Sequence, residues 1–160
     1  MSLQKHLKML LRLFAVTIIW LFFLLLLFDS INRVVIFIIA LYLLIYALPV
    51  IIIHLNYYKH SQGNIFEISK SIIIKKTNDE ILRIDASDIN KISLYMTANQ
   101  IKNSGLRHFP FESYYYARIE LLNGKEEFIT CLFSANLENI LKVNFKDLQI
   151  EKIKKFYPLI

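Results

Sequence analysis

The stretch FFLLLLFDSINRVVIFII, residues 22–39, decides how the chain is laid out. Two apolar runs meet at Asp29-Ser30-Ile31-Asn32-Arg33. From Leu13 to Phe28 every residue is apolar except Thr17, and Met9 to Leu11 extend the run across Arg12, whose long stem can reach the headgroups. From Val34 to Ile53 the run is again unbroken, counting Tyr42, Tyr46 and Pro49. Each run matches the ~20 residues needed to cross ~30 Å of hydrocarbon. One helix from Leu10 to Leu55 would measure roughly 70 Å, more than twice that thickness. Neither run suits the interior of a soluble domain, because about a hundred remaining residues cannot bury two all-round apolar helices. A cleaved signal peptide is disfavoured too: the first run is long, and FDSIN offers no small-x-small site. The expectation is a transmembrane hairpin over residues 1–60, with spans at about 9–28 and 34–55.

Composition agrees. The chain has 160 residues, 56% of them hydrophobic, above the 45–50% usual for a soluble domain. Lys5, Lys8 and Arg12 flank the first span and Lys59 follows the second, whereas the turn offers only Arg33 against Asp29. The positive-inside bias therefore predicts both termini in the cytoplasm, with the turn outside. Tyr57 and Tyr58 suit an interfacial aromatic belt, while Trp20 falls mid-span. Tyr42 and Tyr46 share a helix face, fit for packing within the hairpin or between copies. Pro49 removes one backbone donor near the end of span two and predicts a kink. No ionisable residue lies deep in either span, which argues against a channel or transporter working alone.

After His60 the texture changes. SQGN reads as a short linker, followed by apolar pieces rich in β-branched and aromatic residues. Candidate strands are 64–68, 71–76, 80–84, 91–97, 113–122 and 126–133. Asn123-Gly124 marks a hairpin, since both residues tolerate positive φ. A two-residue turn there would set Glu120 opposite Glu127; a three-residue loop ending in a bulge would avoid that pairing. Tyr115, Ala117, Ile119 and Leu121 point one way from the incoming strand, and Tyr114, Tyr116, Arg118 and Glu120 the other. Helical spacing then takes over at Leu137, Ile140, Leu141 and Phe145, with Ser134 as N-cap and Glu138 in the first turn. A basic tail, 148–160, reads as helical, with Ile150, Ile153 and Tyr157 on one face and Pro158 as its stop.

Strands in succession closed by one helix define an α+β domain with an antiparallel sheet or barrel. IFEISKSIIIKK (65–76), ILRIDASDINKISLY (81–95), and YYYARIELLNGKEEFITCLF (114–133) with ANLENILKVNF (135–145) resemble the bacterial pleckstrin-homology-like (PH-like) domains that follow one or two N-terminal spans. The resemblance covers roughly 63–147. It implies a seven-stranded barrel closed by the C-terminal helix, where six strands are counted; the seventh would lie in 98–113 or be absent.

Function classes narrow by elimination. Three glycines, Gly63, Gly105 and Gly124, leave no phosphate-cradling loop, and one cysteine, Cys131, leaves no internal disulfide or zinc spacing. Residues 56–160 carry 15 basic and 12 acidic side chains, too evenly mixed for nucleic-acid binding. Asp85 and Asp88 read as turn residues rather than an acid/base pair. Lys70, Lys75 and Lys76 sit where the resemblance would place a headgroup site, but they read better as a solvated face. Lys142, Lys146, Lys152, Lys154 and Lys155, with Phe156 and Tyr157 adjacent, make the last segment basic enough to attract anionic lipid, but Glu138, Asp147 and Glu151 dilute it and an ordinary helix face explains it more simply. The polar connection 97–113 holds the candidate interaction surface: Lys102, Arg107, His108, Phe109 and Phe111, with the two phenylalanines either exposed or capping the core. The expected function is a non-catalytic membrane-anchored module, without cofactor or metal, binding a protein, peptide or lipid headgroup. The alternative is an accessory subunit of a larger membrane complex, associating through its spans. A homo-oligomer stays open.

Overall fold

The computed structural model describes residues 3–28, 32–78, 80–102 and 109–160; side chains 3–9 and that of Arg12 are not described. The N-terminal basic flank of Lys5, Lys8 and Arg12, and Asp29 to Ile31 of the turn, therefore lie outside the described side chains. Helix α1 is Leu3–Leu27, and a second helix runs continuously from Arg33 to Ser61. The second helix is built of α2 (Arg33–Tyr42), a π turn (Leu43–Ala47) and α3 (Leu48–Ser61). It starts at Asn32, whose side chain accepts from the Val35 N–H at 3.0 Å, satisfying a donor that the first turn leaves free. The π turn answers Pro49. Proline lacks the N–H that would reach back four residues and crowds that carbonyl. Here the Leu48 N–H bonds to Leu43 O, five residues back, so one wide turn precedes the proline.

The Arg33–Ser61 helix is long and apolar enough to cross a membrane, and the apolar part of α1, Leu13–Leu27, is shorter. Both carry outward-facing apolar side chains, among them Ile18, Phe22, Leu25, Ile36 and Phe37. They meet through Tyr42, which hydrogen-bonds Thr17 Oγ1 at 2.8 Å and stacks on Trp20 at 4.3 Å.

Seven strands follow among the described residues: β1 (Ile65–Ser69), β2 (Ile72–Lys76), β3 (Ile81–Asp85), β4 (Ile89–Met96), β5 (Tyr116–Leu121), β6 (Glu126–Thr130) and β7 (Ile150–Lys154). They form a three-stranded sheet, β1-β2-β3, and a four-stranded sheet, β6-β5-β4-β7. Among the described residues no continuous ladder closes them into a barrel, so the closed-barrel expectation gives way to two sheets within an α+β fold. Short helix α4 (Ala98–Ile101) and α5 (Leu137–Asn144) complete the chain. Asn136 rather than Ser134 takes the cap position of α5, although the Ser134 hydroxyl accepts the Asn136 N–H. The core between the sheets and α5 holds Phe66, Ile73, Ile84, Ile92, Leu94, Ile119, Ile129, Leu137 and Leu141.

The tail corrects the sequence reading. Residues 150–154 form β7, parallel to β4, with Ile92 opposite Ile150 and Met96 opposite Lys154. The spacing of Ile150 and Ile153 fits a helix, but β4 offers an unpaired edge, and pairing satisfies a row of backbone donors and acceptors on both chains. The seventh strand is therefore this one rather than part of 98–113, and the β-domain extends beyond 147. The linker reading of SQGN also changes. Helix α3 includes Ser61, leaving only Gln62-Gly63-Asn64 as a turn, with Gly63 at φ +76°.

The Asn123-Gly124 hairpin is the three-residue form. Gly124 N–H bonds to Leu121 O, Leu121 N–H bonds to Lys125 O, and Gly124 takes φ +80°. This register parts Glu120 from Glu127 but sets Glu120 opposite Glu126. Arg118 lies between the two carboxylates and pairs with both. Arg118→Ala should therefore lower stability by about 0.5–1 kcal/mol in thermal unfolding, and adding Glu126→Gln should recover part of the loss.

Glu138 on α5 pairs with Lys142 and with Lys152 of β7, each at 2.7 Å. Burial pushes its carboxyl up, but the hydrogen bonds and charges of the two lysines outweigh this and hold it below its ordinary value. The unfolded chain then binds the proton more readily, so the contribution is complete above the unfolded carboxyl pKa and fades as pH falls through the folded one. Glu138→Gln should cost less than about 1 kcal/mol near pH 7, with the difference shrinking as pH is lowered through and below the ordinary carboxyl range in pH-dependent unfolding.

Candidate interaction surfaces and the helix–sheet joint

The four-stranded sheet buries both faces at one end. Ala117, Ile119 and Leu121 face the core between the sheets, as alternation requires. On the other face Tyr114 and Tyr116 are also buried, at 0% and 5% exposure, because the end of α3 lies across them. Helical spacing puts His54, Tyr57 and Ser61 on one side of α3. His54 Nδ1 and Tyr114 Oη are hydrogen-bonded at 2.9 Å, Ser61 Oγ and Thr130 Oγ1 at 2.8 Å, and His60 packs on Phe128. Tyr57 is fully buried, edge-on to Tyr114 and Tyr116. The belt expectation for Tyr57 is thereby corrected: its ring fills the helix–sheet joint, and Tyr58 is the exposed one of the pair.

The last residues lock the joint. Tyr57 Oη donates to Pro158 O at 2.7 Å and Tyr116 Oη to Leu159 O at 3.2 Å. The Asn56 amide bonds both ways with the Ile160 backbone. Burial pushes the Tyr114 phenol up and the Tyr116 phenol up to about 12, the latter with help from Tyr95, so both remain hydrogen-bond donors at neutral pH.

Of the expected interaction residues, Arg107 and His108 lie outside the described residues, and Lys102 is exposed beyond α4. The phenylalanines face inward. Phe111 is buried, and Phe109 is half-buried between Phe111, at 5.2 Å, and Tyr46, at 5.7 Å. The buried carboxylate of Glu112 holds this segment by accepting from Asn99 Nδ2 and the Phe109 N–H. The two phenylalanines thus wedge the β-domain against the helices.

The first hairpin is equally occupied. Lys75 pairs with Glu127, and Lys76 with Glu67. The turn residues Lys70 and Ser71, both at positive φ, are pinned to Asn144 of α5. Asp85 and Asp88 make a 3-10 turn in which the Asp88 carboxylate accepts the Asp85 N–H. No group of three or more potential metal ligands occurs among the described residues. Cys131 is buried.

The free surface lies at the opposite end, near the Asn123-Gly124 turn. Ile81 and Leu122 are 72% and 69% exposed. Leu82 and Leu122 share a depression of about 180 Å³, beside a groove of about 220 Å³ lined by Lys75, Thr77, Leu121 and Asn123. Strand β3 pairs only with β2, so its outer edge is open among the described strands. Sequence reasoning missed this patch, although the exposed Leu122 beside a hairpin turn is its visible sign.

A family model described as PH domain matches residues 1–140, helices included. No curated protein and no solved structure matches the chain. PH domains are in general non-catalytic interaction modules that bind proteins or lipid headgroups. The helix–sheet joint can be probed directly. Tyr57→Phe leaves the Pro158 carbonyl without its donor and should cost about 1–2 kcal/mol. Hydrogen exchange should quicken at 156–160 before it does in β5.

Proposed function

The chain belongs to the PH domain family, and on that premise we propose a non-catalytic interaction module anchored in the bacterial inner membrane by two spans, with both termini cytoplasmic. Its partner is a protein or peptide bound at the end of the β-domain farthest from the bilayer. The carrying observation is the pairing of an inner end bonded to the helix with an exposed outer one. The Arg33–Ser61 helix has 29 residues, and ~20 suffice to cross the hydrocarbon. The surplus is the His54–Ser61 segment that docks on the sheet, so the domain is held against the membrane without a flexible tether. At the other end Ile81, Leu82 and Leu122 are exposed beside an open β3 edge. An apolar patch of this kind next to an unpaired strand favours an added peptide strand or an apolar docking segment.

The accessory-subunit alternative draws less support. Tyr42 and Tyr46, which motivate it together with the uninterrupted apolar spans, are already used by Thr17, Trp20 and Phe109. A photo-crosslinking residue at Leu122 or at Ile36, a lipid-facing position in this reading, separates the two in intact membranes. Discrete adducts from position 122 and none from 36 are expected; adducts from 36 alone would reverse the assignment.

A further inference from the structure

The tail carries a second surface. After β7 the chain turns back over α3, and Phe156 is left 71% exposed. Its ring touches Phe111 at 5.8 Å and Tyr157 at 4.6 Å, and Phe111 continues through Phe109 to Tyr46 of the π turn. Phe156 is thus the outermost ring of an aromatic column that begins on the long apolar helix. On that helix Leu48, Ile51, Ile52 and Leu55 are also exposed. The tail cannot swing away, because Pro158, Leu159 and Ile160 are bonded to Tyr57, Tyr116 and Asn56.

Charge completes the surface. Lys152 is consumed by Glu138, whereas Lys154 and Lys155, next to Phe156, are exposed. The Lys155 ammonium lies 5.9 Å from the Tyr95 ring and makes no ion pair among the described residues. An apolar ring flanked by cations and fixed beside an apolar helix has the chemistry of an interfacial anchor.

We propose that Phe156 inserts at the bilayer surface while Lys154 and Lys155 engage anionic lipid headgroups. This would orient the domain on its two spans and turn its free end toward the cytoplasm. The inference rests on the membrane reading of the helices. It concerns a different part of the domain from the first hairpin, whose turn is occupied by Asn144.

The test uses the full chain with Trp20→Phe and Phe156→Trp, leaving one tryptophan. The protein is reconstituted in vesicles of neutral phosphatidylcholine or of phosphatidylcholine with phosphatidylglycerol, each with brominated acyl chains. In anionic vesicles the tail tryptophan should emit blue-shifted light and lose about half its intensity to the bromines, as a ring at the headgroup–acyl boundary does. Lys154→Gln with Lys155→Gln should reduce the quenching by about two-fold or more in anionic vesicles and leave it unchanged in neutral ones. Flotation after an alkaline wash separates the two levels of failure. A protein that floats while its tail tryptophan stays red-shifted and unquenched overturns the anchor alone. A protein stripped from the vesicles overturns the membrane reading and the anchor with it.

Discussion

Tyr57 is the residue on which the rest of the arrangement depends. Its ring is fully buried between α3 and the aromatic outer face of the four-stranded sheet, and its hydroxyl holds the Pro158 carbonyl. A sheet of this kind normally leaves one face to water. Here the helix end claims that face, and the C-terminal residues seal the seam from the other side. Without Tyr57 the seam would lose its central ring and keep the turn at 62–64 with the peripheral His54–Tyr114, Ser61–Thr130 and Asn56–Ile160 bonds.

The C-terminal segment does two things within eleven residues. As β7 it pairs with the edge of β4 and completes a four-stranded sheet. As a clasp over α3 it ties the sheet to the helix through backbone carbonyls. Its lysines divide accordingly: Lys152 neutralises Glu138 within the fold, while Lys154 and Lys155 remain exposed at the turn into the clasp. The first hairpin behaves alike: Lys76 finds Glu67 on the adjacent strand and Lys75 finds Glu127 on β6 of the other sheet.

Much of the fold was legible because it is written in short-range periodicity. The six strands read from β-branched runs all appear within a few residues of their expected places, as does the α5 helix. The Asn123-Gly124 turn is where two φ-tolerant residues demanded it, and Asp85 and Asp88 form the expected turn. The misses share a cause. Residues 150–154 carry a helical spacing that an open strand edge overrides, and Tyr57 carries an interfacial signature that a sheet face overrides. Between the two alternatives open for Phe109 and Phe111, the inward one holds because Tyr46 and Tyr157 supply ring contacts that no local pattern announces.

The amino-acid sequence by itself determined that two apolar helices precede an α+β domain, where the Asn123-Gly124 turn and the turn at 85–88 fall, and how the residues of β5 alternate between its two faces. These follow from hydropathy, spacing and backbone freedom, all of which act between near neighbours. Only the tertiary structure decided that the second helix is fused to the sheet and that the tail is a strand. It also decided which basic residues are spent inside the fold and which stay free. Each of these depends on partners many residues away, such as Tyr57 with Pro158, Ile92 with Ile150 and Glu138 with Lys152. Their proximity arises from packing, which no local pattern encodes.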